Sequence, residues 1–267
     1  MGTPKAGLEW HGSTLLYRTV AIVARATAGR VVVVRASGQE LPGLPAGTQV
    51  VDDPRQGKGP VQGIAAGLAA LTGHAQAAFI SSTDLPFLHP VFIRRVLRAV
   101  TDGAGTDVAL PVARGYPQPL AAAYRVSLAA TAERLVKEDR LRPAFLFGEC
   151  AVARLDDATL RADPLIAALD PDLDSVVNIN TSDDYLQARA RPAPEVTVQL
   201  FGALAKDGGG RGPHSVRAAT VAAAASAVRL TFGRAVTVAL NGDQITRDGA
   251  TPLVTGDTVY FRSADAV

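Results

Sequence analysis

Apolar residues first recur at helical spacing over residues 14–28 (TLLYRTVAIVARATA), and Gly29 closes that stretch. The period then changes. Val31–Val34 is an uninterrupted β-branched run between polar neighbours, the pattern of a buried parallel strand. Thr48–Val51 predicts a second short strand ending at Asp52-Asp53-Pro54, and residues 61–71 (VQGIAAGLAAL) predict a helix after a glycine-rich turn. Ala77–Ile80 is a third strand, ending at Ser81-Ser82-Thr83-Asp84. Pro90, a favoured first-turn residue, opens a helix over 90–100, and Val108–Pro111 is a further strand. Strands alternating with helices predict an α/β fold with a doubly wound, Rossmann-like parallel sheet.

The pattern shifts near the end of the chain. Residues 187–194 are polar and proline-bearing, and 191–194 are assigned as a linker between domains 1–190 and 195–267. Beyond it, Val196–Phe201 alternates like a half-buried strand. A glycine cluster (207–212), an alanine-rich helix (218–228), the run Val236–Leu240 with the turn Asn241-Gly242-Asp243, and Pro252–Phe261 follow. This ββ-α-ββ order predicts a small α+β domain of the β-grasp type.

Composition narrows the class without naming a chemistry. The 267 residues suffice for one large or two smaller domains, and 48% are hydrophobic with few aromatics. A formal net charge of +2 is too small to argue for nucleic acid or an anionic membrane as partner. No apolar run approaches the ~18 residues of a membrane-spanning helix, and the N-terminus lacks the apolar region of a signal peptide. A single cysteine, Cys150, excludes an intramolecular disulfide and fits a reducing, cytoplasmic location. The four histidines are scattered without zinc-ligand spacing.

Ligands of open parallel sheets bind outside the carboxyl ends of the strands. Asp53 and Asp84 each follow a predicted strand. Asn178 and Asn180 lie in Val176–Thr181 (VVNINT), which predicts a short strand with both amides on one face. Lys5 stands near the start. A lysine, aspartates and amide oxygens at one sheet edge suit a triphosphate with Mg²⁺, which takes hard oxygen ligands and shares them with phosphates. Singly, each has an ordinary reading. Asp84 before Leu85-Pro86 can be a cap or turn former, and Lys5 a solvated lysine. Asn178 and Asn180 can be turn residues, and Gly57–Gly63 a simple glycine turn. Their order and spacing carry the specificity.

With those segments in hand, residues 1–190 resemble the molybdenum cofactor guanylyltransferases, the MobA family. The matching stretches are MGTPKAGLEWHG, VVDDPRQGKGPVQGI, FISSTDLPFL, YPQPLAAAY and VVNINTSDDY, five motifs in family order. The resemblance implies a nucleotide-diphospho-sugar transferase type of sheet and transfer of GMP from GTP to Mo-molybdopterin with release of pyrophosphate. It implies that Lys5 contacts the GTP phosphates and that Asp84 binds Mg²⁺. Asp53 would contact the nucleotide, and the loop Gly59-Pro60-Val61-Gln62-Gly63 would help recognise it. Arg35 falls where the family usually has an asparagine near the nucleotide. Gln118, Pro119, Asn178 and Asn180 would line the pterin side. The Gly-Pro-x-x-Gly loop and Gln118-Pro119-Leu120 look more like the guanylyl branch than the sister family that uses cytosine. A binding protein of the same fold without activity is the other alternative. Expected partners are GTP, molybdopterin, and other cofactor-biosynthesis proteins or molybdoenzyme chaperones.

Two further expectations come from the ends. The family motif begins with a strand and a Leu-Ala-Gly-Gly stretch, so the resemblance implies coding sequence upstream of Met1. Residues 195–267 resemble the MoaD/ThiS sulfur carriers in VTVQLFGALA, VALNGDQI and PLVTGDTVYF. That family ends in two glycines, whereas this sequence ends Ser263-Ala264-Asp265-Ala266-Val267. The expectation is therefore docking or dimer contacts, or a structural appendage, in place of sulfur transfer.

Overall fold

The structure, a computed structural model, describes residues 5–27, 29–53, 57, 59–207, 212–233, 236–242 and 244–263. The opening Met1–Pro4, most of the turn between Asp53 and Gly59, part of the glycine cluster, Asp243 and the last four residues, all singled out above, lie outside that set. The described chain divides into two units, one of residues 5–7 and 15–179, the other of 8–14 and 180–263.

In the larger unit, helix α1 (Leu15–Thr27) buries Leu15, Leu16 and every residue from Arg18 to Ile22, so its first two turns are enclosed on most sides. Leu16 and Val20 pack on Val33 of strand β1. Strands β1 (Val32–Ala36) and β2 (Gln49–Asp53) form a parallel ladder of their own, in register from Val32 against Gln49 to Ala36 against Asp53. Helix α2 (Pro60–Leu71) packs on both strands. The main sheet holds β3 (Ala77–Ser81), β4 (Val108–Ala113), β5 (Tyr116–Pro117), β6 (Ala121–Arg125) and β7 (Val152–Asp156), in the order β3-β6-β4-β5 with β7 paired to β4.

The alternation predicted parallel strands, and the sheet is mixed. β6 runs antiparallel to both β3 and β4, while β4 and β7 are parallel. The cause is local: β4 turns through Arg114-Gly115 into β5, a hairpin return with no crossover helix, so the chain re-enters the sheet reversed. Helices α3 (Pro90–Thr101) and α4 (Ala129–Lys137) belong to this unit; α3 packs on the sheet, and α4 packs on α2. Ile64, Leu68, Val108, Leu110, Tyr124, Leu135 and Leu146 are 0–1% exposed and form one apolar cluster. Each such side chain contributes about 1.5–3 kcal/mol by leaving water.

Residues 176–181 correct a second expectation. Asp174–Val176 is one 3-10 turn and 177–180 is irregular, so no strand forms. The N–H of Ile179 reaches the carbonyl of Asp84 at 2.9 Å, a single bond and no ladder.

In the smaller unit, Glu9–Trp10 pairs with Ser13–Thr14, and helix α5 (Ser182–Ala190) takes up residues 187–190 of the polar stretch. Thr181 and Asp184 close a capping box at its start. A mixed five-stranded sheet follows. In it β8 (Glu195–Leu200) lies between β9 (His214–Arg217) and β12 (Thr258–Ser263), and β10 (Val236–Leu240) lies between β12 and β11 (Gln244–Thr246). Only β8 and β12 are parallel. Helix α6 (Val221–Ala227) closes its core, with Val221, Ala224, Val198, Val238, Val259 and Phe261 all fully buried. Among the described residues, no helix is long and apolar enough to cross a membrane.

Candidate functional site

Strand β3 ends at Ser81, and the polar run after it turns Asp84 toward Lys5. Lys5 Nζ lies 3.1 Å from Asp84 Oδ2, with the lysine side chain 33% and the aspartate 16% exposed. The other carboxylate oxygen, Oδ1, accepts the Ser82 hydroxyl at 2.5 Å and the Asn178 Nδ2 amide at a longer 3.4 Å. Ser82 is held in turn, since its N–H donates to Leu120 O at 2.9 Å. The Asp84 carboxylate therefore has its rotamer fixed on both oxygens, by a cation on one side and neutral donors on the other. The fold brings Lys5, Asp84 and Asn178 together. Ser82 was missed, although its position two residues before Asp84 in a strand-ending polar run was a usable signal.

The other predicted residues sit elsewhere. Arg35 and Asp53 stand at the carboxyl end of the β1–β2 ladder. Arg35 Nε donates to Asp52 Oδ1 at 2.7 Å and its Nη1 to Gln39 O at 3.1 Å, so the guanidinium is engaged by its own strand neighbours. Gly59 caps α2 with φ 81°, and Pro60 takes the first helical position. An added Cβ on Gly59 would stand 3.2 Å from Leu141 O, the same carbonyl that accepts the Val61 N–H at 3.4 Å. Gly63, by contrast, faces open space. Gln118 Nε2 donates to the carbonyls of Ala113 and Tyr116, and Pro119 O accepts the Tyr124 hydroxyl at 2.8 Å. Those groups brace the β4–β6 connection. Asn180 belongs to the smaller unit, where its N–H donates to Asp184 Oδ2 at 3.0 Å.

The donor set fits a magnesium ion of one kind only. Among the described residues no group of three or more His, Cys, Asp and Glu side chains gathers, so they build no protein-only cage. A single oriented carboxylate beside a lysine is what Mg²⁺ needs when substrate phosphates and water complete its octahedron. Cys150 offers no nucleophile, because burial pushes its thiol up to about 11, with Asp107 and Glu149 adding to the shift. Burial likewise raises the Tyr124 phenol, which stays protonated and donates to Pro119.

Residues 1–154 match the model of the MobA-like NTP transferase domain. The molybdenum cofactor guanylyltransferase of Rhizobium meliloti (strain 1021) is 30% identical over 194 residues, covering 71% of this chain and 85% of that protein. The probable molybdenum cofactor guanylyltransferase of Opitutus terrae is 33% identical over 196 residues, covering 72% and 90%. Among solved structures, the molybdopterin-guanine dinucleotide biosynthesis protein A of Archaeoglobus fulgidus superposes with a TM-score of 0.53 at 23% identity, covering 70% of this chain and 90% of that one. At that identity the superposition speaks for the fold alone, an α/β fold of the nucleotidyltransferase kind.

Proposed function

The chain belongs to the MobA-like NTP transferase family, and from that premise we propose that it is a molybdenum cofactor guanylyltransferase. It would transfer GMP from GTP to Mo-molybdopterin. The observation that carries this reading is the approach of Lys5 Nζ to within 3.1 Å of Asp84 Oδ2 from 79 residues away, with Asn178 on the same carboxylate.

In the reaction, the terminal phosphate of the pterin attacks the α-phosphorus of GTP. One new phosphorus–oxygen bond forms, the bond to the bridging oxygen breaks, and pyrophosphate leaves. The attacking phosphate is already anionic at neutral pH, so no protein nucleophile is required, and positioning with charge neutralisation supplies most of the rate. Lys5 would neutralise charge on the leaving pyrophosphate. Asp84, aligned by Ser82 and Asn178, would hold Mg²⁺ together with phosphate oxygens. When bound, the ion withdraws charge from the phosphates and aligns them for in-line displacement. Asp53 and the Gly59–Gly63 turn would bind the nucleoside. Gln118, Pro119 and Asn178 would face the acceptor.

Within the same proposal, the smaller unit is a β-grasp domain used for docking. Its strand order, with the parallel pair β8–β12 flanked by antiparallel strands and closed by α6, supports that reading. The single cysteine fits a cytoplasmic enzyme. The test is to incubate the protein with GTP, Mg²⁺ and Mo-molybdopterin and follow pyrophosphate and the dinucleotide product. Turnover with GTP and not CTP is expected. Turnover with CTP alone would replace the base assignment, and no product with either would sink the reading.

A further inference from the structure

The segment that carries Asn178 to Asp84 is anchored at its far end by a buried carboxylate. Asp170 is 5% exposed, at the C-cap of the helix Pro164–Leu169. Its Oδ1 accepts the N–H of Asp174 at 2.7 Å and its Oδ2 the N–H of Ser175 at 3.4 Å. Ser175 is fully buried, and its Oγ accepts the backbone N–H of His89 at 3.0 Å. Ser175 thus relays between two elements, its N–H donating to Asp170 and its hydroxyl oxygen accepting from His89.

His89 and Asp84 bracket the turn that leads from β3 into α3. The stretch 175–179 is stitched to that turn twice, at its start by Ser175 to His89 and at its end by Ile179 N–H to Asp84 O at 2.9 Å. Asn178 lies between the stitches. The path into the clamp is strained. Leu173, fully buried, holds φ 53°, a left-handed conformation that a branched side chain keeps only where its surroundings over-determine it. Burial raises the Asp170 carboxyl against the pull of its own hydrogen bonds, so an apolar residue would be the cheaper filling for this site.

We propose that Asp170 and Ser175 are positioning residues, which through the bond to His89 hold Asn178 and the Ile179 amide against Asp84. The inference rests on the reading of Asp84 as the metal-binding carboxylate and adds how that carboxylate is kept in place. Neither residue touches substrate. They act through the backbone turn and the asparagine.

Ser175→Ala removes the relay, and Asp170→Asn keeps the shape while halving the acceptors. The first measurement is amide hydrogen exchange of the ligand-free protein. Both variants are expected to exchange about tenfold faster at His89 and Ile179, with β4 unchanged, as a local opening requires. Acceleration spread evenly through the unit, or none at these two amides, would overturn the clamp. The second is Mn²⁺ binding in the presence of GTP, read by electron paramagnetic resonance. Loss of about tenfold in metal affinity is expected for Ser175→Ala, the size seen when a supporting shell is removed. Asp84→Ala should abolish it. Wild-type binding that both clamp variants retain in full would overturn the positioning role alone. A wild type that binds no Mn²⁺ with GTP, or an Asp84→Ala variant that binds normally, would remove the proposed site and the clamp's purpose with it.

Discussion

Lys5 and Asp84 stand 79 residues apart in sequence and are joined by an ion pair of 3.1 Å, in which the aspartate is the better shielded partner. A pair this close to the surface adds at most about 1 kcal/mol to folding, because water screens it. Its effect on catalysis should be larger. Removing one group that meets developing phosphate charge lowers kcat by about 10²–10³. Lys5→Ala and Asp84→Ala are each expected to lose activity on that scale while shifting the unfolding midpoint little. Steady-state kinetics beside thermal unfolding checks both, and a variant that loses stability and activity together would mark the pair as structural.

At Gly59 the backbone requires the freedom of glycine. Its φ of 81° and the Leu141 carbonyl 3.2 Å from an added Cβ act together. With ψ at 177° this is an extended positive-φ conformation essentially reserved for glycine, and holding another residue there costs roughly 1–3 kcal/mol. Gly59→Ala is therefore expected to lower stability by about that amount and weaken GTP binding, whereas Gly63→Ala, inside α2 and meeting no protein atom, should not lower stability. Thermal unfolding of the two variants separates them.

Asp170 predicts a pH dependence. Burial, assisted by Asp174, raises its carboxyl from 3.8 to about 6, against hydrogen bonds from Ser175 and the amides of Asp174 and Ser175. The charged groups around it are Asp174, Arg114, which reaches Asp172 O and Asp174, and Arg161, which reaches Pro171 O; His89 meets Ser175 through its backbone N–H alone. A raised carboxyl binds its proton more tightly in the folded chain. Its stabilisation is complete below about pH 4 and is lost as pH rises through about 6. Asp170→Asn removes that titration. Between pH 4 and 7 the wild type should lose roughly 2–3 kcal/mol more than the variant. Urea unfolding across that range checks it, and parallel curves for the two proteins would show that the carboxyl does not titrate there.

Tyr124 is 0% exposed and donates to Pro119 O, tying the sheet to the Gln118–Leu120 stretch. Tyr124→Phe keeps the ring and leaves that carbonyl without its donor. The expected loss is about 1–2 kcal/mol, with faster amide exchange at Ala121, whose N–H bonds Gln118 O at 3.1 Å. Denaturant midpoints and exchange rates give the two readings.

Much of the fold was legible because it is written in local periodicity. The helix of Leu15, Leu16, Val20 and Ile22 and the β-branched run at 32–34 follow from side-chain spacing alone. The helix from Pro60 and the position of Asp84 after β3 were equally visible. The strand predicted at 176–181 failed for a non-local reason. Val176, Val177 and Ile179 have strand-like residue types, but their backbone groups bond to Asp84 and to the Asp174 turn. The antiparallel entry of β6 was also hidden, since an alanine-rich run such as 121–125 carries no sign of its direction.

For the candidate site, the sequence by itself determined which chemical groups are available: a lysine, an aspartate after a strand, and an asparagine in a polar segment. Only the tertiary structure decided that Lys5, Asp84 and Asn178 converge, that Ser82 joins them, and that Gln118 and Arg35 are engaged by their own neighbours. The reason is physical. Residue type and spacing fix which groups a local segment can present, whereas a contact across 79 or 94 residues depends on how the sheet, its turns and the buried Asp170–Ser175 anchor bring separate segments to one point.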